Sequence, residues 1–502
     1  MSALLEDTTE ETLAAISKAQ TSGITTGTGI TSYDLSPLVS LIPVVTPFRD
    51  HVPREKSTDG APYAVWRALM NLTDSQPDGS MGLDFAANEV QVLKQDFQAK
   101  YMPTGYSGFV TQDAFDLATG YADLFAEDTF NTLNQVLILD DRKLVGAQSF
   151  PLAAASAPTL TQHASGGTIS NITVYVGVAA RTGSGYYYGS GNSQGASAST
   201  TFSGGSTNSI TATTAAIRGA VCYDWFYSTT GLSGSWLYYT TTTVNAATIT
   251  TPITSNNTLP SATTLPDIQQ TWWQGSNVSA IPTYNGSADN GSANPKDYDG
   301  FLASLSGDYN TTGQWVQPGT ATANPATWNS LNGAALTLSG GSIAEIQNYL
   351  FGPLWNTVKC SPTAIMMNSA QAQECANLVL GSSSATTFLN TDAQGRISVT
   401  AGGRVGEIVN APAGGITVPI EVHVSVPPGT IIARSDRVPF PQSRVNSVLG
   451  FRTLRDTAQF DYGISRVAGT AGGGPRREYE IRTIGAFINR VPGAAGVLSN
   501  VA

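Results

Sequence analysis

Residues 100–149 read KYMPTGYSGFVTQDAFDLATGYADLFAEDTFNTLNQVLILDDRKLVGAQS. From about Thr111 to Val145, Phe115, Ala118, Ala122, Phe125, Leu133, Val136 and Leu144 recur at steps of three and four. That is the stripe of an amphipathic helix. Asp113, Asp116, Asp123, Glu127 and Asp128 crowd its first half, and Arg142 and Lys143 lie in its last turns. Such polarity complements the helix dipole. Gly146 is a natural stop. The pattern predicts one helix well beyond the globular mean of about 11–12 residues. It lacks a sustained heptad, so it reads as a structural spine rather than a coiled coil. Asp140 and Asp141 read as helix-end, solvated charges rather than a catalytic pair.

Upstream, APYAVWRALMNL (61–72) and EVQVLKQDFQAKYMPTGY (89–106) are strand-like and flank the turn-rich TDSQPDGSMGLDFAAN. Together they predict a two-stranded hairpin with too little core to stand alone. Before it runs LVSLIPVVTPFRDHVPRE (38–55), an apolar arm paced by Pro43, Pro47 and Pro53. Proline fixes φ and biases the preceding residue, so 37–54 is expected to be extended, without continuous sheet pairing. Leu41, Ile42, Val44, Val45 and Phe48 are expected to dock on a neighbouring molecule, and Arg49 and Arg54 to pair with acids across that boundary. On this reading, Asp at both 45 and 48 spares the fold and impairs assembly. Residues 1–36 read as a short helix and a Thr/Gly/Ser tail, with no basic segment leading into an apolar one as in a signal peptide.

Downstream of about 155 the texture changes. ITVYVGVAA (172–180), GAVCYDWFYST (219–229) and GSWLYYTTTTVNAATITTPI (234–253) alternate like strands between Gly/Ser/Thr loops. They predict a β-sandwich of about 100 residues, similar to an immunoglobulin or fibronectin type III module. A Pro/Asn/Ser-rich linker over 254–296 leads into a mixed region. There Ser342 and Glu345 have capping-box spacing, and Asn368 repeats the device more loosely.

Composition narrows the function. The 502 residues carry 25 Lys+Arg against 36 Asp+Glu, net −11, and only 12% are charged. An acidic chain is poorly suited to gripping a phosphate backbone. Cys222, Cys360 and Cys375 are too scattered for a disulfide framework, and three histidines assemble neither a zinc site nor a triad. GSGYYYGSG and SGGSTNS lack the spacing of a phosphate-binding loop. No apolar run approaches the ~18 residues of a membrane span. Tyr186–Tyr188 with Trp225, Trp236, Tyr238 and Tyr239 are either sandwich core or a sugar-binding face. Arg434, Arg437, Arg444, Arg476 and Arg477 read as salt-bridge partners in an interface. No catalytic residue, cofactor site or metal site emerges, so the chain reads as a building block and not an enzyme.

The order of these segments resembles the major capsid proteins of tailed bacteriophages with the Hong Kong 97-like fold. The likeness is carried by LIPVVTPFRDHVPRE, by 100–149, and by DYDGFLASL, GGSIAEIQNYL, PTAIMMNSAQAQ, VPIEVHVSVPPGTIIARSD and VPFPQSRVNS. It implies an α+β chain with an N-terminal arm (1–50), an extended hairpin (51–106), a spine helix of a peripheral domain (107–154), an inserted sandwich (155–255), and the rest of the peripheral domain with an axial domain (256–502). It further implies hexamers and pentamers of an icosahedral shell enclosing double-stranded DNA without sequence-specific contacts. The partners it implies are copies of the same chain with scaffolding, portal and decoration proteins. It places the chain in a virion assembled in a bacterial cytoplasm, with no membrane role and no cofactor. Some relatives join a hairpin lysine to a neighbour's asparagine, and Lys94 and Lys100 lie in the hairpin here. Two other classes fit parts of the sequence: a surface β-rich adhesin or carbohydrate-binding protein, and an encapsulating nanocompartment subunit.

Overall fold

The computed structural model describes residues 45–57, 60–72, 92–118, 123–188, 195–232, 234–261, 264–265, 267–268, 297–339, 342–381, 390–391, 397–398, 406–437, 447–466 and 475–502. Strands outnumber helices among them, and the class is α+β. The body is built on a long antiparallel hairpin, Leu449–Arg466 with Pro475–Asn489. Met102–Thr111 pairs antiparallel along the outer side of Pro475–Asn489, and Arg54–Lys56 adds parallel to Leu449–Arg466.

The expected spine is two helices, Gln112–Ala118 and Leu124–Gly146. The physical reason is Asp123. Its carboxylate accepts from Ala126 N at 3.1 Å and caps a new helix, and a side chain that satisfies a free helix-end amide favours a start there. The 23-residue second helix lies on the sheet through Leu133, Val136, Tyr479 and Ile481. Tyr479 hydroxyl reaches Asp128 at 2.6 Å and Thr132 at 2.8 Å, crossing the strand at Gly108, where a Cβ would collide with it. At its far end the helix passes the GSGYYY segment, where a Cβ on Gly146 would lie 3.1 Å from Gly183 backbone. Gly183 of that motif serves this close approach.

The hairpin expected over 61–106 ends sooner. Among the described residues, Tyr63–Leu72 and Val92–Lys100 form a two-stranded ribbon, while Met102 onward changes partner to the body sheet. Alternation seats one face of the ribbon: Ala64, Trp66, Phe97 and Ala99 pack on Tyr309 and Trp315. Val65, Arg67, Lys94 and Asp96 face outward. Its expected tip, 73–91, lies outside the described residues.

A six-stranded sheet runs in the order Thr327–Ser330, Gly496–Ser499, Ile431–Arg434, Ala364–Met367, Ile416–Val422, Glu407–Asn410. Leu350, Phe351, Leu354 and Cys375 from flanking helices complete its core. The expected capping box is absent. Ser342–Ile343 is a short strand, and Glu345 instead accepts from Thr337 N at 2.7 Å and Thr337 Oγ1 at 2.5 Å. Asn368 does cap its helix, Ser369–Gly381, accepting from Ala370 N at 3.2 Å.

The segment expected as a sandwich forms two antiparallel sheets. One runs Leu237–Thr242, Cys222–Ser228, Thr173–Arg181, Ala196–Thr201; the other runs Ala246–Ile249, Ser209–Thr213, Thr159–His163. Val174, Val176, Val178, Trp225, Ile210 and Ile249 fill the space between them. The chain leaves the body and returns to it at one place: Ser149 N donates to Asp299 at 2.8 Å and Gly300 N to Ala147 O at 2.8 Å.

Candidate assembly strap

The described chain begins at Val45, and residues 45–57 form a strap across the body. Expected to be extended, they instead hold a five-residue helix, Pro47–His51, followed by the paired strand Arg54–Lys56. Proline in the first turn is compatible with a helix, because the amide it lacks would be unpaired there anyway. Thr46 gives that helix no side-chain cap. Asp141 supplies it from elsewhere: Oδ1 accepts from Phe48 N at 2.9 Å and Arg49 N at 2.8 Å. Its other oxygen accepts from Ser425 Oγ. Asp141 is fully buried, and burial pushes its carboxyl up; these hydrogen bonds oppose the shift and neighbouring Asp140 adds to it.

Asp140, also buried, takes Arg49 Nε at 3.1 Å and Arg54 Nη2 on one oxygen. The Arg54 guanidinium lies 4.7 Å over the Phe451 ring. Glu55 pairs with Arg490 at 2.9 Å, and His51 with Asp436 at 2.9 Å. Phe48 is fully buried and meets the rings of Phe301 at 5.5 Å, His423 at 6.0 Å and Phe487 at 6.2 Å. The strap therefore ties together the end of the long helix, the 423–426 turn and the root of the long hairpin.

Of the residues expected to contact a neighbour, Phe48, Arg49 and Arg54 find these partners within their own chain. Val45 stays 48% exposed. Leu41, Ile42 and Val44 lie outside the described residues. Asp140 and Asp141 are not solvated helix-end charges: they are the buried anchor. A sequence signal existed, since acids in the last turns of a helix oppose its dipole and need another reason to be there.

The other candidates resolve plainly. Trp225, Trp236, Tyr238 and Tyr239 are buried and form no sugar platform. Arg434 pairs with Glu421 and Asp436, Arg476 with Glu478, and Arg477 with Asp461, all within the chain. Arg437 acts on the neighbouring Asp436, whose carboxyl it helps hold down, and Arg444 lies outside the described residues. The three cysteines are buried and unpaired, and burial pushes each thiol up. Among the described residues, no group of three or more His, Cys, Asp or Glu is placed to hold a metal ion, and no helix is long and apolar enough to cross a membrane.

No protein-family model and no curated protein matches the sequence. Similar solved structures include the Cyanophage A-1(L) capsid asymmetric unit, with a TM-score of 0.45, 8% identity, and coverage of 94% of this chain and 97% of that one. The capsid of the native GTA particle, computed with C5 symmetry, gives 0.40 and 8%, over 94% and 95%. The capsid of Cyanophage P-SCSP1u gives 0.34 and 10%, over 95% and 96%.

Proposed function

We propose that this chain is the major capsid protein of a tailed bacteriophage, building an icosahedral shell of hexamers and pentamers around double-stranded DNA. One observation carries the reading. The two parts expected to reach other subunits, residues 1–44 and the ribbon, adjoin the two ends of a strap that is itself firmly tied to the body. Such an arrangement fixes the points from which residues 1–44 and the ribbon's outward face are proposed to engage neighbours, while the ribbon's inner face stays packed on Tyr309 and Trp315. The ribbon's outward face, with Val65, Arg67, Lys94 and Asp96 exposed, is suited to lying over an adjacent copy. Leu41, Ile42, Val44 and Val45 remain the residues proposed to cross the subunit boundary, since Phe48 is committed to its own core.

Negative-stain microscopy of the expressed protein, alone and with a co-expressed scaffolding protein, tests this. Capsomers, sheets or shells are expected. A protein that stays uniformly monomeric under both conditions overturns the proposal. Removing residues 1–44 is expected to leave the melting temperature close to that of the full chain and to abolish or weaken shells.

A further inference from the structure

The stretch between Phe150 and Asp267 holds only three charged residues, Arg181, Arg218 and Asp224, in a chain that is 12% charged. All three turn inward. Arg181 and Asp224 are fully buried and paired at 2.7 Å. Arg218 donates to the carbonyls of Leu305 and Ala326 at 2.8 and 3.1 Å. The sandwich thus presents a surface with no formal charge, where soluble domains ordinarily mix both signs.

Its two outer faces differ. That of the four-stranded sheet is covered over its middle, where Ala179, Phe226, Trp236 and Tyr238 form a buried cluster with Leu259 against it, and only its Ala196–Thr201 edge exposes side chains. That of the three-stranded sheet is open. Register places Thr248, Thr211 and Thr161 side by side in one row, with Thr213 and Thr159 adjacent in the next. Thr159, Thr161, Thr213 and Thr248 are exposed, and Thr211 is half-buried. Thr211 Oγ1 meets His163 Nε2 at 3.0 Å. The other four hydroxyls make no hydrogen bond among the described residues. Strand geometry spaces such hydroxyls about 4.8 Å apart across the sheet and about 6.8 Å along it.

We propose that this hydroxyl lattice docks a neutral, hydroxyl-rich polysaccharide. The partner follows from charge complementarity. The face has no cation for phosphate, sulfate or carboxylate, and no anion for a basic protein. It also exposes no large apolar side chain to reward a hydrophobic partner. Threonine hydroxyls both donate and accept, as sugar hydroxyls do, and the rows repeat on the scale of a hexose ring. Each hydrogen bond to such a partner is individually weak after exchange with water, so contact depends on several rows acting together. The inference is independent of what the chain assembles into.

Affinity electrophoresis of the full chain tests it, through native gels containing dextran, galactomannan or hydroxyethylcellulose, with heparin and double-stranded DNA as charged controls. At least one neutral polymer is expected to retard the protein, and the charged ones are not. Thr161→Val with Thr248→Val keeps shape and strand preference but removes two hydroxyls; it should weaken retardation about fivefold or more. Thr161→Ser with Thr248→Ser keeps the hydroxyls and should bind as wild type. The proposal is overturned by no retardation in any neutral polymer, by equal retardation of the valine variant, by loss in the serine variant, or by stronger retardation in heparin.

Discussion

Asp141 places one carboxylate oxygen on two helix-start amides and the other on the Ser425 hydroxyl. Asp141→Ala removes a cap worth about 0.5–2 kcal/mol and leaves buried donors unpaired at about 1–3 kcal/mol each. A loss of about 2–4 kcal/mol is expected in urea unfolding, with Asp141→Asn milder. His423 gives a pH dependence. Burial, joined by Arg434, pushes its imidazole down to about 4 from an ordinary 6.5. Its Nδ1 accepts from Ser425 N at 3.2 Å, so the fold holds the neutral ring. With the folded value below the unfolded one, this stability is fully present above pH 6.5 and is lost as pH falls through about 4. The total is on the order of 3 kcal/mol. Urea midpoints at pH 7 and 4.5 should converge in His423→Gln relative to the wild type. Asp141 runs the other way: its raised carboxyl contributes stability at acid pH that is lost as pH rises through its folded value. Neither role was readable from sequence, because Asp141 takes its partners from Phe48, Arg49 and Ser425, far along the chain on either side, and His423 is set by burial in the assembled core. Only the misfit of two acids near a helix C-terminus hinted at the first.

At the scale of elements, the strap is part of the body's core. Phe48→Ala is expected to cost about 3–5 kcal/mol, measured by thermal or urea unfolding. Asp at both 45 and 48 should therefore damage the fold, contrary to the reading from sequence, whereas Val45→Asp alone should leave the melting temperature nearly unchanged. The ribbon is attached differently. Trp66 stacks on Phe97 at 5.8 Å and Phe97 on Trp315 at 5.4 Å. Trp66→Ala with Phe97→Ala should raise hydrogen exchange across 63–72 and 92–100 while the body strands keep their protection. Period-two alternation made the ribbon legible, and period 3.6 made the long helix legible. What failed were ends and starts. Proline spacing alone predicts extension over 37–54, yet Pro47 sits where proline begins helices. The aspartate pattern alone fits the first half of one helix, yet Asp123 starts a second one.

Across the whole molecule, the sandwich was legible because its strands pair locally and alternate cleanly. Its seam with the body was not. Tyr186, Tyr187, Val221 and Cys222 belong to the same core as Phe48, Leu144, Phe301 and Phe487, although they lie within the span expected as sandwich. Expressed alone, residues 151–266 should therefore melt broadly and bind a hydrophobic dye, despite leaving and returning at adjacent points. The strap has a mechanical consequence. Arg54–Lys56 runs parallel to Leu449–Arg466, with Arg54 beside Phe451 and Lys56 beside Thr453. Tension drawn along residues 1–44 would meet Asp141 first and then slide one strand along another, so the ladder's bonds resist in concert instead of peeling singly. The pull would be delivered to the root of the long hairpin, turning a tug at one terminus into a torque on the sheet near the other.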